Sequence, residues 1–296
     1  MHCCYNSETR KEKLEITIKK HYLKTYKSAK KYMTKLYNNC SMDYKLKLVY
    51  FSPTGTTKEI LHKIVKKMDL PINEEFNLTN YENINFEHSF ENDDLVLLGF
   101  PVYSGRVPKT AVNRFKNIRG NKTKIIITLT YGNRNYDDAL MEIYEMLTLS
   151  NFVIIGMGTF VTQHSVAKSI GFGRPNENDY NVLQQFSDKL IERMNTDYSG
   201  IKEYKINKPF RKYQTIPVNP KGNSKCTKCK LCVKLCPEYA INQNNPRKTD
   251  KNKCISCMRC IKYCPNNARD ISKIEKLIST LFLKTKCREN KFSEII

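Results

Sequence analysis

The chain has 296 residues, of which 40% are apolar and 27% charged, with 12 cysteines. This length suffices for one large domain and one small domain, each with its own core. No stretch approaches the roughly 20 apolar residues of a membrane-spanning helix. The lysine-rich start also lacks the apolar segment and cleavage site of a secretory signal. We therefore expect a cytoplasmic protein with no membrane span.

The net charge of +22 is unevenly distributed. Residues 45–198 are neutral, whereas residues 1–44, 199–220, 221–270 and 271–296 carry +6, +4, +9 and +3. Such an excess of basic residues raises the alternative of nucleic-acid binding. No recognisable nucleic-acid fold is present, and the aromatic residues are not interleaved with the basic ones. Nucleic-acid binding is therefore the less favoured alternative.

Residues 1–44 form a basic extension rich in lysine and tyrosine. A helix over about 12–38 is compatible with the pattern, although no apolar face is evident. Met42 directly precedes the first predicted strand, so one hypothesis is that translation starts there. Sequencing the N-terminus of the native protein tests this hypothesis, and a mature chain that begins at Met1 would contradict it.

The first predicted strand covers residues 45–51 (KLKLVYF), and a hydroxyl-rich turn, SPTGTT, connects it to a helix. Amides at a helix N-terminus are unsatisfied and the helix dipole favours an anion there. The turn therefore predicts a phosphate site, with a simple N-cap as the alternative. The lysine spacing of a P-loop is absent. The residues predicted to bind the phosphate are Ser52, Thr54, Gly55, Thr56 and Thr57.

Three further apolar runs, at 94–100, 124–131 and 151–161, are nearly continuous, as in strands buried on both faces. Helical patterns fit at about 108–118, 136–149 and 178–195. The alternation predicts an α/β fold, a doubly wound parallel sheet with helices on both faces. Residues 199–222 lose this periodicity and contain three prolines, which predicts a linker or strap before the next domain.

Two cysteine runs, 28 residues apart, each read C-x-x-C-x-x-C-x-x-x-C-P. A structural zinc site needs only two C-x-x-C pairs, so the third and fourth cysteines would be surplus. The spacing is instead typical of iron-sulfur clusters. Disulfides are not favoured, because the other four cysteines lie near the chain ends. The runs comprise Cys226, Cys229, Cys232 and Cys236, then Cys254, Cys257, Cys260 and Cys264.

The tail, residues 271–296, has apolar residues at helical spacing. We expect a helix packed on a domain face, in preference to a membrane-seeking helix. The apolar stripe consists of Ile271, Ile274, Leu277, Ile278, Leu281 and Phe282.

The cysteine runs resemble those of the bacterial two-cluster ferredoxins, which have a small α+β fold. This resemblance implies two 4Fe-4S clusters with crossed ligation. One cluster would be held by Cys226, Cys229, Cys232 and Cys264, and the other by Cys254, Cys257, Cys260 and Cys236. The P-x-x-A-I segment at 237–241 also matches that family. The second run departs to P-N-N-A-R at 265–269, a superficial difference that we expect to leave cluster ligation undisturbed.

The turn after the first strand is similar to the phosphate loop of flavodoxins, with Ser52 at its first position. The resemblance implies strand order 2-1-3-4-5 and FMN bound at the carboxyl ends of the strands. The loops 99–108 and 130–136 would flank the isoalloxazine ring. In them, Tyr103 or Tyr131 would stack on the ring. The FMN contacts implied in these loops are Pro101, Val102, Tyr103, Ser104, Gly105, Tyr131, Gly132, Asn133 and Arg134.

Three further residues near these loops have open roles. Arg106 and Arg134 are either solvated surface charges or stabilise a reduced anionic flavin. His164, just beyond the last predicted strand, is expected to be a hydrogen-bonded loop histidine.

Taken together, residues 45–270 resemble the flavodoxin-ferredoxin fusion proteins of anaerobic bacteria. The implied domains are a flavodoxin-like FMN domain at 45–198 and a two-cluster ferredoxin-like domain at 223–270, joined by the linker 199–222. The implied function is electron transfer between the clusters and FMN, to or from a redox protein or a small-molecule acceptor. Whether the chain is an oxidoreductase or a carrier stays open.

The basic ferredoxin half predicts an acidic redox partner, because opposite charges steer association. Two alternatives remain. One is a basic iron-sulfur protein that binds nucleic acid, and the other is a ferredoxin whose flavodoxin-like half docks partners without flavin.

Overall fold

The computed structural model describes residues 44–196, 198–214 and 216–296. Residues 44–296 belong to one compact unit. The helix predicted over 12–38 and the proposed start at Met42 lie outside the described residues.

A six-stranded sheet forms the centre of this unit. Its strands are β1 (Lys45–Tyr50), β2 (Ile72–Asn77), β4 (Asp94–Pro101), β6 (Thr123–Tyr131), β7 (Phe152–Val161) and β10 (Glu294–Ile295). The order is β10-β7-β6-β4-β1-β2, parallel except for β10, which is antiparallel to β7. The five parallel strands thus have the predicted order 2-1-3-4-5, and their carboxyl ends share one edge.

Four helices cover the two faces of the sheet: α1 (Thr56–Met68), α2 (Lys109–Phe115), α3 (Ala139–Leu149) and α4 (Glu177–Met194). Successive side chains of β1 point to opposite faces of the sheet, as in any β-strand. Leu48 packs with α1 and α4, while Val49 packs with α2 and α3. Burial of both faces explains why the central strands are continuously apolar and confirms the doubly wound α/β fold.

The predicted strands at 45–51, 94–100, 124–131 and 151–161 are confirmed, as are the three later helices, within about three residues. Sequence patterns missed β2 because it is an edge strand of sequence INEEFN, largely exposed. They also missed a small parallel pair, β3 (Glu87–Phe90) with β5 (Asn117–Gly120). Short, polar or edge strands carry too few buried side chains to give a hydrophobic period.

Residues 199–214 lie on the sheet unit as a strap. The amide of Ile201 donates to the carbonyl of Ile154 at 2.7 Å, and the rings of Tyr204 and Tyr144 lie 5.4 Å apart. The strap then leads to the cysteine region.

The cysteine region consists of two short helices and a two-stranded ladder. The helices are α5 (Leu231–Leu235) and α6 (Arg259–Lys262), and β8 (Lys221–Gly222) pairs with β9 (Arg269–Asp270). The 28-residue repeat is reproduced in the backbone. Lys230 and Met258, at equivalent positions before the two helices, have φ angles of 60° and 61°.

The tail contains the predicted helix, α7 (Lys273–Lys286). The predicted packing of its stripe is wrong for five residues, because Ile274, Leu277, Ile278, Leu281 and Phe282 are 56–71% exposed. The helix is instead anchored through Leu283, which packs with Ala167 and Ile170. In the described ranges, none of the helices is long and apolar enough to cross a membrane.

Candidate functional site

A cleft lies at the carboxyl ends of β1, β4, β6 and β7. The loops that follow these strands form one wall. The opposite wall comes from the strap and the second cysteine run, through Tyr213, Gln214, Ile216, Ile255 and Ser256. The position agrees with the rule that open α/β sheets bind ligands outside the carboxyl ends of their strands.

Nine of the fourteen residues predicted to bind the cofactor line this cleft: Thr54, Thr56, Thr57, Pro101, Val102, Tyr103, Ser104, Tyr131 and Gly132. The other five, Ser52, Gly55, Gly105, Asn133 and Arg134, do not line it. The sequence analysis did not single out Thr130, Thr162 and Gln163, which also line the cleft. Each of these three stands at or just after the end of a buried strand, which is the signal that would have found them.

Some residues of the hydroxyl-rich turn stabilise the turn itself, and others face the cleft. Ser52 is buried, its hydroxyl accepts from the amide of Lys58 at 3.0 Å, and its own amide donates to Thr79 at 2.7 Å. Gly55 has a φ of 86°, which suits glycine. Thr54 and Thr56 remain at the cleft, their hydroxyl oxygens 3.5 Å apart. The N-terminus of α1 and two hydroxyls thus face the cleft together.

A second tight turn, residues 103–106, forms the floor of the cleft after β4. The amide of Tyr103 donates to the carbonyl of Arg106 at 2.8 Å, and the reverse bond is 3.1 Å. Ser104 and Gly105 take φ angles of 51° and 84°. This pattern of two positive φ angles is that of a type I′ turn. It places Tyr103 and Ser104 at the cleft.

Both arginines of these loops are paired with carboxylates, although Arg134 is partly exposed. The Arg106 guanidinium is buried and makes two bonds to Glu142, of 2.8 and 2.7 Å. Arg134 is paired with Asp137 and lies outside the cleft lining. Both guanidinium groups thus have carboxylate partners within the protein.

The two tyrosines predicted to stack on a flavin differ in their surroundings. The hydroxyl of Tyr131 donates to the carbonyl of Phe292 at 2.8 Å, and its ring packs edge-on against Tyr136. Tyr103 instead lies beside the second cysteine run. Burial raises the pKa of Tyr103 well above its usual range, and the charge of Cys257 contributes to the rise. Tyr103 therefore stands between the cleft and the cysteines.

His164 lines the cleft and is hydrogen-bonded, as predicted. Its Nδ1 accepts from the amides of Val166 and Ala167, both at 3.2 Å. Burial, and then the charge of Arg134, lowers the pKa of His164 to about 4. A neutral imidazole whose Nδ1 accepts must carry its proton on Nε2. Gly132 permits this packing, since a Cβ there would lie 2.6 Å from the His164 ring.

A smaller cavity lies next to the cleft. Four thiols line it, namely Cys236 from the first run and Cys254, Cys257 and Cys260 from the second. The side chain of Ile255 lines both cavities. One residue layer therefore separates the cysteine cavity from the cleft.

The chemistry of these thiols fits a multi-iron cluster. Burial and the neighbouring thiols raise the pKa of Cys257, and that of Cys260 to about 11. Without a bound cation these groups stay protonated, and bound iron would stabilise them as thiolates. Within the described residues, no group of three or more His, Cys, Asp or Glu side chains has the spacing of ligands to a single metal ion. A cuboidal cluster takes one thiolate at each iron, so its ligands stand further apart.

Two of the cysteines also accept hydrogen bonds at equivalent places. The amide of Ala240 donates to the sulfur of Cys236 at 3.3 Å, and the amide of Ala268 donates to that of Cys264 at 3.2 Å. All eight cysteines of the two runs are free thiols. Hydrogen bonds to sulfur ligands are one means by which proteins adjust cluster potentials.

Arg269, the last residue of P-N-N-A-R, is a buried cation beside the cysteines, a role that the sequence did not predict. It is 3% exposed, and its Nη1 lies 4.0 Å from the sulfur of Cys232. Burial raises the pKa of Cys232, Cys254 and Cys260, and the positive charge of Arg269 opposes that rise. Arg269 thus acts on cysteines of both runs.

The two halves meet in a polar interface that the sequence analysis also missed. Arg114, in α2, is buried and donates to the carbonyls of Leu78, Asn80 and Pro237. The rings of Tyr81 and Tyr239 lie 3.7 Å apart. A basic residue on a short helix gives no sequence signal for such a role, because its partners are distant backbone carbonyls.

Comparison with known proteins identifies the second half. Residues 225–269 match the family described as 4Fe-4S dicluster domain. No curated protein matches the chain.

Three solved structures illustrate the similarity to the first half. A flavodoxin from the domain Archaea is 14% identical over 51% of this chain and 98% of its own, with a TM-score of 0.32. A putative flavoprotein from Bacteroides eggerthii is 13% identical over 49% and 97%, with a TM-score of 0.33. A flavoprotein in complex with FMN from Lactobacillus acidophilus is 19% identical over 38% and 91%, with a TM-score of 0.25. These scores are too low to carry an argument, so the strand order itself defines the fold.

The sheet has the flavodoxin strand order, with its cleft at the carboxyl ends of the strands. The cysteine region, which contributes Ile255 and Ser256 to the cleft lining, matches the 4Fe-4S dicluster domain family. The chain therefore has the architecture of a flavodoxin-ferredoxin fusion, an arrangement suited to electron transfer.

Proposed function

We propose that the protein is an electron-transfer iron-sulfur flavoprotein that binds FMN in the large cleft and two 4Fe-4S clusters at the cysteine runs. One observation carries the proposal. Ile255, between the ligand candidates Cys254 and Cys257, lines both the cleft and the cysteine cavity. A flavin in the cleft would therefore lie one residue layer from a cluster.

The crossed ligation of the clusters is supported by the grouping of the thiols. Cys236 joins the three cysteines of the opposite run in one cavity. By the same exchange, Cys264 would complete the set of Cys226, Cys229 and Cys232. Each fourth cysteine then ties one run to the cluster of the other, which holds the two clusters close together.

The chain's own residues have distinct tasks in the proposed FMN site. Thr54, Thr56 and the N-terminal amides of α1 would bind the phosphate, because a helix N-terminus attracts an anion. Tyr103 would pack against the ring on the side of the cysteines. His164 would present its Nε2 proton as a hydrogen-bond donor. FMN exchanges two electrons in one-electron steps, and each cluster exchanges one.

Purification without oxygen, followed by counts of iron, sulfide and FMN, tests this function. We expect about eight irons and one FMN per chain, as two four-iron clusters require. Zinc in place of iron, or an absence of flavin, would overturn the proposal. A chain with iron and no flavin would favour the alternative in which the flavodoxin-like half only docks partners.

A further inference from the structure

The two cysteine runs share a backbone but differ in their surroundings. Lys228 and Lys230 of the first run have φ angles of 58° and 60°. Their equivalents in the second run, Ser256 and Met258, have φ angles of 53° and 61°. Because the loops have the same shape, the side chains at these positions decide what each loop contacts.

The second run is enclosed by the rest of the protein. The hydroxyl of Ser256 donates to the carbonyls of Ile216 and Val218, at 2.8 and 2.7 Å. Met258 is 4% exposed and packs with Val166, Val218 and Ile271. The loop of this run, residues 256–259, is therefore buried and lies beside the cleft.

The first run faces solvent. Cys229 is exposed, and four exposed lysines surround the run, which we call the lysine rim: Lys225, Lys228, Lys230 and Lys234. In the part of the chain that the structure describes, no carboxylate lies within ion-pair distance of these four lysines. Among residues 44–196, 198–214 and 216–296, the rim is thus a group of cations without a paired carboxylate, next to an exposed candidate cluster ligand.

We propose that the lysine rim is the docking surface for an acidic electron-transfer protein, and that the first run is the outer terminal of the redox chain. This inference rests on the proposed function and adds the surface and the order of the two runs. A reduced carrier docked on the rim loses one electron, and that electron enters at the first run. The second run, beside Ile255 and Tyr103, is then the inner terminal next to the cleft.

The positive charge of the lysine rim is the reason for assigning the docking surface to it. Exposed cations attract an anionic partner over about a Debye length and raise the association rate at low salt. Ion pairs at the rim of an interface are worth little in isolation, but they determine orientation and partner choice. A partner guided to these lysines meets the exposed Cys229.

The test uses the intact protein and an acidic bacterial-type ferredoxin as the probe. Lys228→Asn and Lys230→Asn remove one charge each, and Asn tolerates positive φ. Lys122→Asn is a matched control, because Lys122 is also exposed, with a φ of 55°, in the turn between β5 and β6. The measurement is the dissociation constant at low and at high salt.

We expect the double variant to bind the ferredoxin about tenfold more weakly at low salt and to lose most of the salt dependence. Lys122→Asn should bind like the original protein. Equal affinities for the double variant and the original protein would overturn the proposal. Iron content and the visible spectrum of each variant show whether the clusters are intact, so a failed docking surface is distinguished from a failed function.

Zero-length cross-linking of carboxylates to lysines gives a second, independent measurement. With the ferredoxin as partner, we expect the linked lysines to fall at 225, 228, 230 and 234. Links concentrated in residues 1–44, or on the helix α1, would overturn the assignment even if binding were strong. This mapping requires no catalytic turnover.

Discussion

Arg114 and Pro237 join the two halves of the protein. The guanidinium of Arg114, in α2, donates to the carbonyl of Pro237, the residue after Cys236. Arg114 is 2% exposed, and burial lowers its pKa. The same group also holds the carbonyls of Leu78 and Asn80, at 2.7 and 2.9 Å. A single buried cation thus positions the iron-sulfur domain against the sheet.

Arg114→Met should destabilise the protein, because it removes a charged donor from the carbonyls of Leu78, Asn80 and Pro237. Hydrogen bonds to charged groups contribute about 1.5–3 kcal/mol each, so we expect the free energy of unfolding to fall by about 3 kcal/mol or more. Denaturant titration measures this change. Arg119→Met is the control, since Arg119 is exposed and bonds only to carbonyls of its own segment. A loss within 0.5 kcal/mol for Arg114→Met, roughly that of a neutral surface change, would contradict the role.

Thr56→Val tests the phosphate site. Valine keeps the shape of threonine and removes the hydroxyl that faces the cleft. A charge-assisted hydrogen bond to phosphate is worth about 1.5–3 kcal/mol, so FMN should bind roughly tenfold or more weakly. Quenching of flavin fluorescence measures the affinity. Thr148→Val, an exposed change in α3, should leave it unaltered. Unchanged FMN binding in Thr56→Val would place the phosphate elsewhere.

The half-buried His164 should make stability depend on pH. Its pKa is about 4 in the folded protein, below the ordinary value of 6.5. Between these values the unfolded chain binds a proton that the folded protein does not, so stability falls as the pH falls from 6.5 to 4. The maximal slope is about 1.4 kcal/mol per pH unit.

His164→Asn keeps an acceptor near the position of Nδ1 and cannot titrate. We expect this variant to show a flatter stability curve between pH 4 and 6.5, measured by urea unfolding at several pH values. His62→Asn, at a partly exposed position in α1, is the control. If the two variants and the original protein share one curve, the imidazole does not account for the slope.

Arg269 should raise the reduction potentials of the clusters. Its guanidinium lies 4.0 Å from the sulfur of Cys232 and is almost fully buried. A nearby positive charge favours the reduced form, which carries one more electron. Arg269→Met should therefore lower the potentials, by an amount on the order of 50 mV.

Redox titration followed by electron paramagnetic resonance measures these potentials. Arg247→Met is the matched control, because Arg247 belongs to the same domain and bonds to the carbonyls of Ser224 and Cys226. We expect a smaller decrease there. Potentials that stay constant in Arg269→Met would show that the buried charge is compensated.

Much of the fold follows from local patterns. The continuous apolar runs that became β4, β6 and β7 are visible in the sequence because both faces of a central strand are buried. The strands β2 and β10 are not visible in the sequence, because each is an edge strand and buries few side chains. For the apolar stripe on α7, the secondary structure was predicted correctly but the packing was not. Its period predicted a helix correctly, but a period does not state whether a partner face exists.

The candidate site divides in the same way. Ligand types and spacing are local properties, so the sequence by itself determined the eight cysteines, the hydroxyl-rich turn and the loops after the strands. Only the tertiary structure decided which run faces the cleft, since Lys228 and Ser256 occupy equivalent loop positions and differ in what surrounds them. It also decided the roles of Arg114 and Arg269. Their partners are carbonyls and sulfurs that are distant in the sequence. Only folding brings these groups next to the buried charges, so no local pattern predicts the contacts.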